Sequence, residues 1–227
     1  MDCIANERFY LTSEELYVLL NAYKIKKWYG FDISDDIKTL NDVNRVIAEL
    51  YRKDIVKWEN KKAVVLPPFD AFFNVIKNSR HCICKVSSNS EESVKMYYLH
   101  GKNVALFEAG SRKGEYLISM MSKGDLKINF ENDGIFPEEI EPFENIDSLP
   151  SDYSDYGDKS PDECFKKGDV VCLLEKVDIN SGKTVERVII QDKGLTGFMY
   201  ISNKSGSVCY PCRADTCCDV MDNLFAD

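Results

Sequence analysis

Short runs of apolar, β-branched and aromatic residues follow one another through the middle of the chain, with turn-forming residues between them. Five such runs lie between Ser79 and Phe130: His81–Ser87, Val94–His100, Val104–Ala109, Glu115–Met121 and Asp125–Phe130. The gaps hold only a few residues, whereas a parallel connection needs a crossover of about a dozen or more. The pattern therefore predicts an antiparallel meander of five strands.

The last two runs differ in how their apolar positions alternate. In Asp125–Phe130, the side chains of Leu126, Ile128 and Phe130 fall on one face and polar side chains on the other, which is typical of a strand with one solvated face. Glu115–Met121 carries apolar side chains on both faces. We therefore expect both faces of that strand to be covered.

Helical periodicity marks the N-terminal part of the chain instead. Thr12 followed by Glu15 is a capping-box pattern, and the apolar spacing after it predicts a helix at about Ser13–Trp28, closed by Gly30. The next predicted elements are a helix, a two-stranded hairpin and a helix: Asp42–Lys53, Ile55–Trp58, Ala63–Leu66 and Pro67–Asn78. This order is that of a winged-helix-like segment.

A second series of strand-like runs follows after residue 164 and ends in a helix. Its predicted elements are Asp169–Val177, Thr184–Gln191, Leu195–Ser202, Ser207–Tyr210 and a terminal helix at about Cys212–Phe225. The element order repeats the first series, although the residues do not. The sequence thus predicts an α+β fold with a central antiparallel sheet built from two quasi-repeated meanders and covered by helical layers.

The acidic charge of the chain is concentrated between the two series. Residues 131–163 hold twelve acids and one lysine, while the net charge of the whole chain is −9, so the remainder is close to neutral. We expect an acidic, mobile connector at 144–163, with a short helix around Pro137–Phe143 before it. The predicted division is 1–143, 144–163 and 164–227, with the two folded parts forming one composite domain.

The cysteines are the first candidates for chemistry. The chain holds nine, an odd number, and its start lacks a secretory signal, which favours reduced thiols and a cytoplasmic location. Cys209 and Cys212 have redox-pair spacing, and Cys217 and Cys218 could add zinc ligands. Neighbouring helical residues point about 100° apart, however, so we interpret these cysteines as core residues and expect no metal and no cofactor.

Catalytic and nucleic-acid-binding patterns are also weak. Only two histidines occur, and no nucleophile motif or phosphate-binding glycine loop accompanies His81, Cys82 and Cys84, so we expect no enzymatic activity. The winged-helix-like part, Asn41 to Lys62, has six bases and four acids, which is little charge for binding a duplex. No run is long enough to span a membrane.

Four parts of the sequence together resemble the EspG-type chaperones of type VII secretion. These are Leu11-Thr-Ser-Glu-Glu-Leu-Tyr-Val-Leu-Leu, the segment Ile47-Ala-Glu-Leu-Tyr-Arg-Lys-Asp-Ile-Val with the hairpin after it, the two meanders, and Gly206-Ser-Val-Cys-Tyr-Pro before the last helix at Asp215–Phe225. The resemblance implies a sheet in two quasi-symmetric halves. It also implies a non-enzyme that holds the tip of a helical secretion substrate in the cytosol and delivers it for export.

The composition is rich in Lys, Asn, Ile, Tyr and Cys and poor in Ala and Arg, which departs from the actinobacterial members of that family and suggests a low-GC Gram-positive host. For such a host, the resemblance implies a helical substrate of WXG or LXG type. We expect a monomer or weak dimer. The surplus of apolar residues on the meander strands, with the loop Gly110–Gly114 at the rim, gives the candidate partner-binding residues: Tyr116, Met120, Met121, Phe198, Tyr200, Arg112 and Lys113. The alternatives are a winged-helix DNA-binding regulator and a protein-interaction domain without a role in export.

Overall fold

A computed structural model describes residues 8–31, 33, 37–88, 94–132, 161–165, 170–192, 197–212 and 214–226. The helices are α1 (Ser13–Ala22), α2 (Leu40–Arg52), α3 (Pro67–Asn78), α4 (Lys123–Asn132), α5 (Pro161–Phe165) and α6 (Ala214–Leu224). The strands are β1 (Phe9–Thr12), β2 (Val56–Glu59), β3 (Lys62–Val65), β4 (His81–Ser87), β5 (Val94–His100), β6 (Asn103–Ala109), β7 (Glu115–Ser122), β8 (Val170–Asp178), β9 (Lys183–Asp192), β10 (Gly197–Asn203) and β11 (Gly206–Pro211).

One antiparallel sheet of nine strands organises the described part of the chain. Its spatial order is β1-β7-β6-β5-β4-β8-β9-β10-β11, and β2 and β3 form a separate hairpin. Each meander contributes four strands, and the two meanders meet through their first strands, β4 and β8, with Cys84 opposite Glu175. The predicted α+β fold with two quasi-repeated meanders is confirmed.

The predicted fifth strand of the first meander is wrong, because Asp125–Phe130 belongs to helix α4. Ser122 and Asp125 cap this helix reciprocally: Asp125 N donates to Ser122 Oγ at 3.1 Å, and Ser122 N donates to the Asp125 carboxylate at 3.1 Å. Leu126 and Phe130 are fully buried and Ile128 is exposed, as a helical spacing of four requires. Each half is therefore four strands followed by a helix. The two halves thus resemble each other in element order more than the predicted series of five and four strands do.

Helix α1 starts at the predicted capping box but ends at Ala22, six residues earlier than predicted. Lys24 adopts a left-handed backbone conformation with φ of 58°. Ile25 N donates to Leu20 O at 2.9 Å and Lys24 N to Asn21 O at 3.0 Å, which is the Schellman arrangement that terminates helices. The chain after it runs across the sheet, where the Trp28 ring packs 4.5 Å from that of Phe107 and stacks on Tyr98.

The short strand β1, which the sequence analysis missed, is one edge of the sheet and pairs with β7. The outer side of β1 is occupied by the chain itself. Lys53 Nζ donates to Tyr10 O at 3.2 Å and pairs with the Glu15 carboxylate at 2.7 Å, while Thr12 N donates to the same carboxylate oxygen at 2.7 Å. These contacts satisfy backbone groups that an open edge would offer to another strand.

Two hydrophobic layers cover the sheet. On the front face, the strand residues Cys82, Met96 and Phe107 join one core with α1, α2 and α3, while Leu173, Ile189 and Tyr200 form a smaller cluster with Cys164 of α5. On the back face, α4 and α6 lie over both halves of the sheet, and the rings of Phe130 and Phe225 are 5.8 Å apart. The two halves thus place their terminal helices on the same face.

The remaining predicted elements occur within a few residues of their expected bounds, including the helix–hairpin–helix order of α2, β2, β3 and α3. The predicted helix at Pro137–Phe143 and most of the predicted connector at 144–163 lie outside the described residues, and the domain division stays a prediction. Within the described ranges, the helices are too short or too polar to cross a bilayer.

Candidate partner-binding surface

Three of the residues predicted to bind a partner lie on β7. Tyr116 and Met120 face the front of the sheet, where both pack against the core beneath α1–α3. Met121 faces the back and belongs to the core beneath α4 and α6. Tyr116 and Met121 are buried and Met120 is partly exposed, which agrees with the expectation that both faces of this strand are covered.

Phe198 and Tyr200 lie on β10, near the opposite edge of the sheet, and both side chains are buried. The strands β6, β5, β4, β8 and β9 stand between β7 and β10. At about 4.8 Å between neighbouring strands, the two groups are roughly 29 Å apart. The structure therefore does not bring the β7 and β10 residues into one surface.

Arg112 and Lys113 lie in the exposed loop between β6 and β7. Gly114, at φ of 80°, turns this loop back, and its carbonyl accepts a hydrogen bond of 2.8 Å from Ser13 N at the start of α1. Arg112 reaches Glu115 at 3.7 Å, with its own side chain largely in solvent. The loop is thus fixed at its base, and it presents two cationic side chains beside α1.

The largest exposed aromatic side chain of the described chain is on the β2–β3 hairpin. Trp58 is 55% exposed, and Tyr51 on helix α2, which contacts β2, is 51% exposed; we call these two residues the wing surface. The hairpin turns through Asn60 and Lys61, both with positive φ, as a two-residue type I′ turn requires. The sequence analysis did not single out the wing surface, because Tyr51 stands four residues after Ile47 and so falls on the apolar side of α2.

Buried residues at the base of the hairpin hold the wing surface in place. Ile55 and Val56 are almost fully buried, and Leu66 N donates to Ile55 O at 2.9 Å across the base. Helix α2 ends in the same way as α1, with Asp54 left-handed and Ile55 N donating to Leu50 O at 2.9 Å. The exposed aromatic side chains therefore stand on a rigid support.

A second exposed apolar strip lies at the other edge of the sheet. Val208 and Tyr210 of β11 are 48% and 40% exposed. They lie opposite Ile201 and Met199 of β10, whose side chains belong to the back-face cluster, so both project from the back of the sheet beside α6. These two exposed side chains adjoin the back-face core and lie beyond the part of the sheet that α6 covers.

Of the four cysteines interpreted as core residues, Cys212 and Cys217 are buried and Cys209 is partly exposed, whereas Cys218 lies on the exposed side of α6, so the interpretation is wrong for Cys218. Burial raises the pKa of the Cys84 thiol to about 12, and the nearby Glu175 carboxylate adds to the rise. The pKa of Cys212 is raised as well, first by its hydrogen bond to Cys217 and then by burial. Such thiols carry little thiolate at neutral pH. Among the described residues, acids, histidines and cysteines form no group that could hold a metal ion.

We predict that Cys218, which is exposed on α6, reacts rapidly with a thiol reagent while the buried Cys82 and Cys172 react only when the protein opens. Replacing Cys218 with serine should remove about one equivalent from the fast phase of labelling in native protein. Cys82→Ser should leave that phase unchanged. If Cys218→Ser keeps the full fast phase, the packing described for α6 is wrong.

Comparison with known proteins gives one kind of match. No protein-family model matches the chain, and no curated protein matches it. Among solved structures, the chain is similar to the Mycobacterium tuberculosis type VII secretion system chaperone EspG5, in a structure with the PE25–PPE41 dimer. The TM-score is 0.55 and the identity 9%, over 96% of this chain and 94% of the other. The predicted resemblance is confirmed for the fold: nearly the whole chain has the α+β architecture of EspG5.

Proposed function

We propose that this protein is a cytoplasmic chaperone or adaptor that binds a helical secretion substrate and delivers it to a type VII-like export system. The observation that carries the proposal is the similarity of fold to a secretion chaperone over nearly the full length of both chains. We further propose a substrate of WXG or LXG type and no enzymatic activity. The buried, high-pKa thiols agree with a binding role, since they are poor nucleophiles.

The wing surface is our preferred contact for the substrate. Binding energy at protein interfaces is concentrated in a few aromatic and arginine side chains that lose their solvent on association. Trp58 and Tyr51 expose much of their rings before any partner binds, and their positions are fixed by the buried base of the hairpin. A helix of the substrate could cover both rings without disturbing the core.

The residues predicted from the sequence remain part of the proposal in two roles. Met120, Arg112 and Lys113 are at least partly accessible and are candidate contacts at the α1 side of the sheet. The other residues fix the positions of the strands from within the core: Tyr116, Met121, Phe198 and Tyr200. Substituting this second group should change stability and binding together.

We predict that Trp58→Ala weakens binding of the substrate by about 30-fold, or about 2 kcal/mol, without lowering the melting temperature of the free protein. The side chain is more than half exposed, so its removal leaves no cavity in the core. The measurement is titration calorimetry with the helical protein encoded beside this gene, after co-expression and co-purification have shown the complex.

Ile128→Ala is the matched control, because Ile128 is similarly exposed on α4 at the back of the sheet. It should leave affinity within about twofold of the parent. Equal losses in both variants would remove the wing surface from the proposal. If co-expression with the neighbouring genes gives no complex at all, the proposed chaperone function is wrong.

A further inference from the structure

One end of the nine-stranded sheet carries a basic residue at almost every turn. At this end the β5–β6 turn holds Lys102, the β8–β9 turn leads into Lys183, and the β10–β11 turn holds Lys204. Arg80 directly precedes β4, and Lys123 begins α4 after β7. We call the exposed group Arg80, Lys102, Lys183 and Lys204 the basic end.

Some cations at this end are already engaged within the protein. Lys123 Nζ donates to Phe225 O at 2.6 Å, and Lys127 forms an ion pair with Asp222. Lys27 Nζ donates to the carbonyl of Asn180 in the β8–β9 turn, which brings a further cation next to Lys183. These contacts hold the end of α6 and the turn in place.

Two of the acids that face the same end, Asp125 and Asp178, accept hydrogen bonds from neighbouring serines. The Asp125 carboxylate accepts hydrogen bonds from Ser122, and that of Asp178 accepts from Ser181 N at 2.8 Å and lies 3.8 Å from Arg80. Glu186 lies opposite Lys176 on the neighbouring strand. Lys102, Lys183 and Lys204 are exposed, and within the described ranges they form no ion pair.

The spacing of the three free lysines follows from the strand order. Three strand spacings separate the β5–β6 turn from the β8–β9 turn, and two more lead to the β10–β11 turn. At about 4.8 Å each, Lys102, Lys183 and Lys204 are roughly 14 and 10 Å apart along the end of the sheet. A ligand that contacts all three must extend over about 24 Å, which an α-helix spans in about 16 residues.

We propose that the basic end binds an acidic segment of a partner protein. Within the described ranges Lys102, Lys183 and Lys204 form no ion pair, and on a chain whose net charge is −9 such cations create a local field of the opposite sign that favours carboxylates. The length of the row fits a segment with acids repeated along it. This surface lies apart from the wing surface and does not depend on the proposed chaperone function.

Nucleic acid is the less favoured ligand for two reasons. Single strands are bound through stacking on exposed aromatic side chains, and the exposed aromatic side chains of the described chain lie on β1, α2, the hairpin and β11, away from these turns. Duplex binding needs many phosphate contacts, and the basic end consists of four cations, of which Arg80 already lies 3.8 Å from the Asp178 carboxylate.

The test uses the full-length protein labelled with ¹⁵N and a 16-residue peptide of alternating glutamate and alanine. Amide shifts should change mainly at 101–103, 181–184 and 204–206, and the affinity should fall steeply with salt because the contacts are exposed. The same peptide with glutamine in place of glutamate should give no shifts. Shifts spread evenly over the surface, or none, would overturn the proposal.

The triple variant Lys102→Glu, Lys183→Glu, Lys204→Glu should weaken binding of the glutamate peptide at least about tenfold. Its matched control reverses three exposed cations elsewhere, Arg8→Glu, Lys38→Glu and Lys61→Glu, and gives the same net charge. Equal weakening in both would show an effect of net charge alone and contradict the proposal. Tighter binding of a 20-base-pair DNA than of the peptide, lost in the first variant, would assign the site to nucleic acid instead.

Discussion

Replacing Phe107 with alanine is expected to lower the free energy of unfolding by about 4 kcal/mol. Phe107 is fully buried on β6, and its ring meets those of Trp28 at 4.5 Å, Phe72 at 4.9 Å and Tyr98 at 5.9 Å. These rings come from the segment after α1, from α3 and from β5. The cavity left by alanine would lie where three elements meet and could not close by moving one side chain.

Urea denaturation followed by circular dichroism measures this loss. Ile128→Ala serves again as the control, because its exposed side chain should contribute no more than about 0.5 kcal/mol. A loss below about 2 kcal/mol for Phe107→Ala would show that the front layer can rearrange around the missing ring. That result would contradict the packing of the chain after α1 against the sheet.

Replacing Arg187 with methionine is expected to cost about 3 kcal/mol of stability. Arg187 and Glu175 face each other on β9 and β8, and both Nε, at 2.9 Å, and Nη2, at 2.5 Å, donate to Glu175 Oε1. Their side chains are only 13% and 11% exposed. Methionine keeps most of the apolar contact but leaves the Glu175 carboxylate largely shielded from water and without its cation.

The double variant Glu175→Met, Arg187→Met distinguishes charge from packing. Removing both charged groups removes the uncompensated carboxylate, so most of the lost stability should return. Thermal or chemical denaturation of the parent, the two single variants and the double variant completes the cycle. If Arg187→Met costs less than about 1 kcal/mol, the pair behaves as an exposed ion pair and the sheet is open at this point.

Short gaps between strand-like runs were sufficient to predict most of the sheet, because such gaps permit only antiparallel neighbours. The mistaken strand at Asp125–Phe130 has a definite cause. Leu126 and Phe130 are four residues apart, which suits either one face of a strand or one face of a helix, and Ile128 between them is exposed. The capping pair Ser122 and Asp125 was the local signal that favoured the helix.

The end of α1 could not be predicted from periodicity, since Lys24 takes the left-handed conformation that usually indicates glycine. Trp28 continues the apolar pattern in the sequence, yet it packs on Phe107 from an irregular segment. Tertiary packing, and not local preference, decides this boundary. At position 30, by contrast, the backbone itself requires glycine, because φ is 121° and a Cβ there would come within 2.7 Å of the Met96 side chain.

The candidate surface was harder to predict than the fold, because exposure depends on the whole structure. The sequence pattern around an aromatic residue on a strand does not show whether the residue is buried or exposed. Tyr200 is buried and Trp58 is exposed, although both lie on strands. Strand order, too, separates β7 from β10, which sequence periodicity alone does not show. The basic end was missed for the same reason: its lysines belong to turns that are distant in sequence.

The pairing of β4 with β8 has a consequence for the origin of the chain. Two copies of one polypeptide related by a two-fold axis pair a strand with itself in antiparallel orientation. Here the first strands of two similar halves pair in that way, with β4 and β8 running opposite each other from His81–Asp178 to Ser87–Cys172. Both terminal helices lie on one face, as a two-fold axis perpendicular to the sheet would place them. The arrangement is the one that duplication and fusion of the gene for a symmetric dimer would produce.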